Sequence, residues 1–385
     1  MRESSFIALP KKLSGATVLT RVDFNEPVKN GHIKDSFRVR ATAPTIRRLV
    51  QAGARVVLLA HLEDSVTKKP ISLAPYVNGI ARTLGVKVAF VREFLPSAVT
   101  RGLAKSKVVL LENVRFHRGE TTNDPRFARA LAALANIYVN EAFSVSHRKH
   151  ASIVGVPHFL PSFAGPLFQK EVAALSDALK PKHPFLLIIG GAKFSTKVEL
   201  LNVFLPKADA AFIGGALANT FLRAHGLEVG RSSIEKEALP NVKKKFVQSK
   251  KIALPFDVCV GKKLSKSVFD VEATERIYDV GPKSVKLLSR LAREARYVLW
   301  NGPLGYIEEG YEESTRALLR ALARLHKTKV IIGGGDTVEV LDAMRQKLHF
   351  HHVSTGGGAM LDFLADGSLP GIDALVSAQK RMRQK

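Results

Sequence analysis

The feature that most restricts the fold is a series of short, unbroken β-branched runs spaced along 385 residues. Val18–Val22, Arg55–Leu59, Val108–Leu111 and Ile137–Asn140 form a first set. Phe185–Ile189, Ala210–Ile213, Tyr297–Trp300, Val330–Ile332 and Phe350–Val353 form a second. Runs without polar alternation read as strands covered on both faces. Between them lie amphipathic stretches, among them Phe37–Gln51 behind Asp35 and Ser36, Ser284–Ala295, and Glu313–Leu325. This alternation predicts an α/β fold with parallel sheets flanked by helices.

The length exceeds one comfortable domain. FAGPLFQKEVAALSDALKPK, residues 163–182, reads as a helix opened by Gly165-Pro166 and stopped by Pro181. It separates a lobe at residues 1–162 from another at 183–366. Residues 367–385 follow a Leu-Pro-Gly break and are free to return to the first lobe. No apolar run approaches the ~18 residues that span a bilayer. The N-terminus carries no apolar signal segment. Cys259 is the only cysteine, so no internal disulfide can form. A cytoplasmic protein without membrane contact is expected.

The net charge of +25 is divided as +14 over residues 1–165 and +11 over the rest. Such spread basicity favours anionic small molecules. It also permits weak, non-specific nucleic-acid binding, although no helix-turn-helix, zinc or RNP pattern supports a specific one. A proteome rich in Lys and Arg explains the charge equally well.

Four glycine turns follow strands and precede helix patterns: Gly190-Gly191-Ala192-Lys193, Gly214-Gly215-Ala216, Gly333-Gly334-Gly335-Asp336-Thr337 and Gly356-Gly357-Gly358. One alone could be a tight turn. Four in one lobe point to phosphate, which approaches backbone N–H groups at helix N-termini. GGAKFSTK lacks P-loop spacing, and no G-x-G-x-x-G opens the first strand–helix unit, which argues against a nicotinamide dehydrogenase. Lys193 and Lys197, four apart at such a turn, can face one phosphate chain. Asp336 is either a helix cap or a carboxylate for Mg²⁺. In the first lobe, Arg21, Asp23 and Asn25 put alternate polar side chains on one face of a strand end, which suits a ligand or a local Arg–Asp pair.

RVDFNEPV (Arg21–Val28), LLENVRFH (Leu110–His117), VNEAFSVSHRKHAS (Val139–Ser152), GGAKFSTK (Gly190–Lys197), IGGALANTFL (Ile213–Leu222) and LPFDV (Leu254–Val258) occur in that order. DVGPKS (Asp279–Ser284), WNGPLGYIE (Trp300–Glu308), IGGGDT (Ile332–Thr337) and HVSTGGGAMLDFL (His352–Leu364) complete the series. Together they resemble the phosphoglycerate kinases. The resemblance implies two Rossmann-like parallel-sheet lobes joined by a helix, in a monomer. It implies glycolytic, reversible phosphoryl transfer between 1,3-bisphosphoglycerate and ADP, giving 3-phosphoglycerate and ATP, with Mg²⁺. A homologue that binds nucleotide without transfer is the alternative.

By that resemblance, Arg21, Asp23, Asn25, Arg38, His61, Arg115 and Arg148 bind the acid, with Arg38 reaching the phosphoryl group in flight. His147 and His150 either line the same patch or are structural. Lys193 and the amides at Gly356 and Gly357 share the catalytic role. Gly191, Lys193, Lys197, Gly214, Gly215, Asn301, Pro303, Glu308, Gly334, Gly335, Asp336 and Thr337 receive the nucleotide, and Asp336 holds the metal. Three departures stand out. The family's His-Leu-Gly-Arg is His61-Leu62-Glu63-Asp64 here, so Asp64 replaces an arginine that binds phosphate. Either that loop turns away, or Lys68, Lys69 or Arg118 substitutes. Glu141 replaces an aspartate, and Ala216 a glycine.

Overall fold

The computed structural model describes residues 6–29, 32–33, 37–64, 66–261, 264–344 and 346–384. Asp35 and Ser36, which precede the helix pattern Phe37–Gln51, lie outside them. The chain divides into two compact units, residues 1–173 with 366–385, and residues 174–365.

In the first unit, β1 (Thr17–Arg21) is followed by α1 (Phe37–Gln51), β2 (Arg55–Leu59), β3 (Val88–Val91), β4 (Val108–Leu111), β5 (Ile137–Asn140) and β6 (Ser162–Ala164). These strands form one parallel sheet in the order β3-β4-β2-β1-β5-β6. Every residue of β1 is buried, as an unbroken apolar run requires. Val18, Val56, Leu58 and Val108 pack with Ile46 and Leu49 of α1 in the core. Strand order reverses at β1, with β2 on one side and β5 on the other. Ligands of such sheets bind beyond the carboxyl ends of the strands at that reversal.

Helix α2 (Pro166–Ala178) crosses the division between the units. Pro166 occupies its first position, where no N–H is needed. Buried Glu141 accepts the next two N–H groups, from Leu167 at 3.1 Å and Phe168 at 3.3 Å.

The second unit contains β7 (Phe185–Ile189), β8 (Ala210–Ile213), α3 (Gly215–Ala224), β9 (Ile252–Ala253), β10 (Tyr297–Asn301), β11 (Lys329–Gly333), α4 (Gly335–Ala343), β12 (His352–Val353) and α5 (Gly357–Asp366). Its sheet is parallel in the order β9-β8-β7-β10-β11-β12. Leu186, Ile188, Phe212, Val298, Trp300 and Ile332 form its core. Here the order reverses between β7 and β10. The expected strand Phe350–Val353 shrinks to two residues. An additional antiparallel sheet, not anticipated from the sequence, pairs Asp257–Val260 with Leu264–Ser267 and Ile277–Val280.

The last helix, α6 (Pro370–Arg383), belongs to the first unit. Gly371 donates to the Ser146 carbonyl at 2.8 Å, and the Gln379 side chain bridges Ile7 N (2.8 Å) and Ser162 O (3.2 Å). No helix among the described residues is long and apolar enough to cross a membrane.

Candidate active site

In the first unit, the carboxyl ends of β1, β2 and β5 gather the charged residues. Asp23 accepts Asn25 N at 3.0 Å with one oxygen. Its other oxygen takes the Ser144 hydroxyl and lies 3.2 Å from Arg38 Nη1. The same Nη1 donates to Asn25 O at 2.7 Å. Asp23, with Glu26 and Glu171, holds the Arg38 guanidinium protonated against the cost of its burial. A quarter of the Arg38 side chain remains exposed.

Arg21 is fully buried and engaged internally. Its Nε donates to Ser152 Oγ (2.9 Å), Nη1 donates to Val22 O (2.6 Å), and Nη2 lies 3.3 Å from His61 Nδ1. A guanidinium only donates, so His61 Nδ1 accepts and the ring proton sits on Nε2. Burial, then the charges of Arg21, Arg115, Arg148 and Arg38, push His61 well below its ordinary pKa. His61 is therefore a neutral donor, and Arg21 is the group that orients it. Behind Ser152, buried Glu120 accepts Ser152 N at 2.9 Å and Oγ at 2.6 Å. Arg148, partly buried, places Nε 3.4 Å from His147 Nε2.

The Arg115 side chain is only 6% exposed. Burial, then Arg148 and Arg21, lower its pKa to about 10. Its Nη1 meets Glu63, while Nε and Nη2 are buried without a hydrogen-bond partner. Asp64 is turned aside: one carboxylate oxygen accepts Val66 N (3.1 Å), Thr67 N (2.7 Å) and the Thr67 hydroxyl (2.9 Å).

In the second unit, the turns after β7 and β10 lock together through Gly190 N to Asn301 O (2.9 Å) and Gly191 N to Pro303 O (2.8 Å). Gly215 has φ +63°, and a Cβ there would lie 2.6 Å from Gly191 N, so the close approach requires glycine. Beside these turns is a cleft of about 270 Å³ bounded by Gly191, Gly215, Tyr278, Pro303, Glu308 and Asp336. Gly214 precedes α3, and Gly334 precedes α4.

Lys197 is buried, with Nζ on Asn301 Oδ1. Burial lowers its pKa to about 8 against the opposing pull of Asp336. Lys193 is exposed, on a turn pinned where Glu235 accepts Phe194 N at 2.6 Å. The two lysines therefore share a turn rather than a helix face, because the helix begins only at Val198.

Helices α3, α4 and α5 all open at the carboxyl edge of the sheet, presenting N-terminal N–H groups suited to phosphate. The Thr337 hydroxyl is buried without a partner, and the space beside Gly335 is open. Gly356 N contacts Ser354 Oγ at 3.2 Å, and Gly357 begins α5. No cluster of three or more His, Cys, Asp or Glu side chains suited to a metal occurs among the described residues. The single carboxylate of Asp336 would suit Mg²⁺, which takes one or two carboxylates and completes its shell with phosphate and water. Burial and the charges of Glu308 and Glu339 raise the Asp336 pKa, so a nearby cation would favour its ionised form.

Sequence reasoning missed several residues. Ser144 holds Asp23, Glu63 meets Arg115, and Asn219 lines the cleft with an unpartnered buried Oδ1. Asn219 had a signal, being a polar side chain in the first turns of a helix that follows a glycine turn. Tyr278 and Tyr306, which enclose Arg276 at 5.1 and 5.0 Å from their ring centres, had none.

A family model described as phosphoglycerate kinase matches residues 10–367. The phosphoglycerate kinase of Caulobacter vibrioides is 43% identical over 386 residues, covering 95% of this chain and 98% of the relative. That of Moorella thermoacetica is 40% identical over 383 residues, covering 94% and 97%. Among solved structures, phosphoglycerate kinase from Coxiella burnetii aligns with TM-score 0.78 and 36% identity, over 95% of this chain and 97% of that one. The enzyme from Pyrococcus horikoshii aligns with TM-score 0.85 and 27% identity, over 96% and 98%. On sequence and fold together, this chain belongs to the phosphoglycerate kinase family of phosphotransferases.

Proposed function

We propose that the chain transfers a phosphoryl group reversibly between 1,3-bisphosphoglycerate and ADP, giving 3-phosphoglycerate and ATP. The observation that carries this reading is the pairing of a cationic set, Arg38, Arg115 and Arg148 around neutral His61, with glycine turns carrying Lys197, Asp336 and Thr337 in the other unit. The first set suits the acid and the second the nucleotide phosphates. Asp23 and Asn25 face the acid as positioning groups, and Arg21 orients His61. Glu308 suits the ribose hydroxyls.

The acceptor is a carboxylate with pKa near 4, ionised at neutral pH, so it needs no general base. What opposes reaction is repulsion between anions, and catalysis is positioning with charge neutralisation. Arg38, held protonated by Asp23, approaches the transferring group. Lys193, on its exposed turn, assists it, with the N–H groups opening α5. Mg²⁺, held by Asp336 and nucleotide oxygens, would supply further neutralisation. Because acid and nucleotide groups belong to different units, transfer demands that the ligands be brought to ~3–3.5 Å, which we assign to closure about α2. A cytoplasmic monomer acting in glycolysis completes the proposal.

The test is Arg38→Ala. Turnover with MgATP and 3-phosphoglycerate, read as ADP release in a coupled assay, falls by roughly 10³-fold or more, the scale of a lost arginine finger. The KM for MgATP stays within about twofold, since Arg38 lies in the unit without the phosphate turns. Near-normal turnover would remove Arg38 from the mechanism.

A further inference from the structure

Asp64, the obvious acidic intrusion in the sequence, is spent on its own turn. Its neighbour is not. Glu63 reaches Arg115 Nη1, with the Glu63 side chain 22% exposed and that of Arg115 6% exposed. The pair is fixed from both sides. Asn25 Oδ1 accepts Glu63 N at 2.9 Å, and Glu63 bridges to Pro70. Asn113 donates to Leu62 O (2.6 Å) and Ile71 O (2.8 Å) while accepting Arg115 N at 3.0 Å. One side chain thus ties the Glu63 loop to the Arg115 turn.

We infer that Glu63 sets the selectivity of the acid site by holding Arg115 against the phosphate end of the incoming acid. The inference rests on the function proposed above. Nη1 is occupied, so the one forked edge left on Arg115 is Nε with Nη2, both buried and unpartnered. An oxyanion that takes this edge settles beside the Glu63 carboxylate, two like charges on one guanidinium. A dianionic phosphate is repelled more than a monoanion, and an uncharged hydroxymethyl end is not repelled at all. Glu63 therefore weakens 3-phosphoglycerate binding selectively, without touching the nucleotide unit.

The test compares Glu63→Gln, which keeps shape and hydrogen bonding, with Asp64→Asn, which removes an equal charge one residue away and keeps a turn acceptor. Glu63→Gln lowers both the KM and the calorimetric Kd for 3-phosphoglycerate by roughly fivefold or more, as removing a close like-charge contact should. Its KM for MgATP remains within about twofold of the parent, and the Kd for glycerate is unchanged. Asp64→Asn moves the Kd for 3-phosphoglycerate by less than about twofold, since its charge is exposed and screened. Equal gains in both variants would reduce the effect to general charge and overturn the inference. An unchanged or higher Kd in Glu63→Gln would overturn it too, showing Glu63 to be a support for Arg115. Calorimetry needs no turnover, so an inactive parent would sink the functional proposal while leaving this comparison readable.

Discussion

Lys197 shows how one residue couples burial to chemistry. Its ammonium sits beside Asn301 and Asp336, and the lost hydration lowers its pKa to about 8. It is charged at pH 7 and loses that charge as pH rises through about 8. The KM for MgATP should therefore rise above that pH. Lys197→Met, neutral throughout, should raise the KM at pH 7 by roughly ten- to a hundredfold, the loss of one charge-assisted hydrogen bond, and flatten the pH dependence. Initial rates between about pH 6.5 and 9 check both; an unchanged KM would place the phosphates elsewhere. Residue types and spacing singled out Lys197 and Asp336, whereas Arg38, near the start of a helix, was singled out only by the family resemblance. The fate of Arg115 was not legible, because no spacing rule connects it to Glu63, 52 positions earlier. Nor did sequence reveal that Arg21 is enclosed, since a strand-end arginine can face either a ligand or its own core.

Elements were legible where the physics is one-sided. β1, β2 and β7 are buried along nearly their whole length, and such strands must be apolar throughout. β3 escaped notice because three of its four residues are half-buried at the sheet edge. The antiparallel sheet around Asp257–Val260 escaped because its strands mix exposed with buried positions. The start of α2 depends on a partner from another element, Glu141, whose carboxylate also takes the Thr45 hydroxyl. Burial raises its pKa to about 7, above the 4.5 of an ordinary glutamate, although Thr45, Leu167 and Phe168 oppose the shift. The folded chain thus holds this proton more tightly than the unfolded chain does. The resulting stabilisation is complete below about pH 4.5 and is lost as pH rises through about 7. Glu141→Gln should flatten that part of the urea-unfolding profile, by an amount on the order of 1–3 kcal/mol between pH 5 and 7.5. An identical slope in the variant, followed by circular dichroism, would free Glu141 from this role.

At the scale of the whole molecule, two features govern the account. The charge of +25 is shared by both halves of the chain, so each unit can attract an anion. Strand order reverses within each sheet, and the candidate residues cluster at the carboxyl ends beside each reversal. The parallel character of both sheets was readable from unbroken apolar runs. The strand orders were not, because short βα connections do not encode which side the next strand takes. In the function proposed, the phosphoryl group leaves ATP for the carboxylate of the acid rather than for water. Mixing the purified chain with Mg²⁺, ATP, 3-phosphoglycerate and hydroxylamine measures this, because hydroxylamine traps an acyl phosphate as a stable hydroxamate. Hydroxamate should form in an amount matching the ADP released and only when 3-phosphoglycerate is present. ADP without hydroxamate, or neither product, would contradict that function.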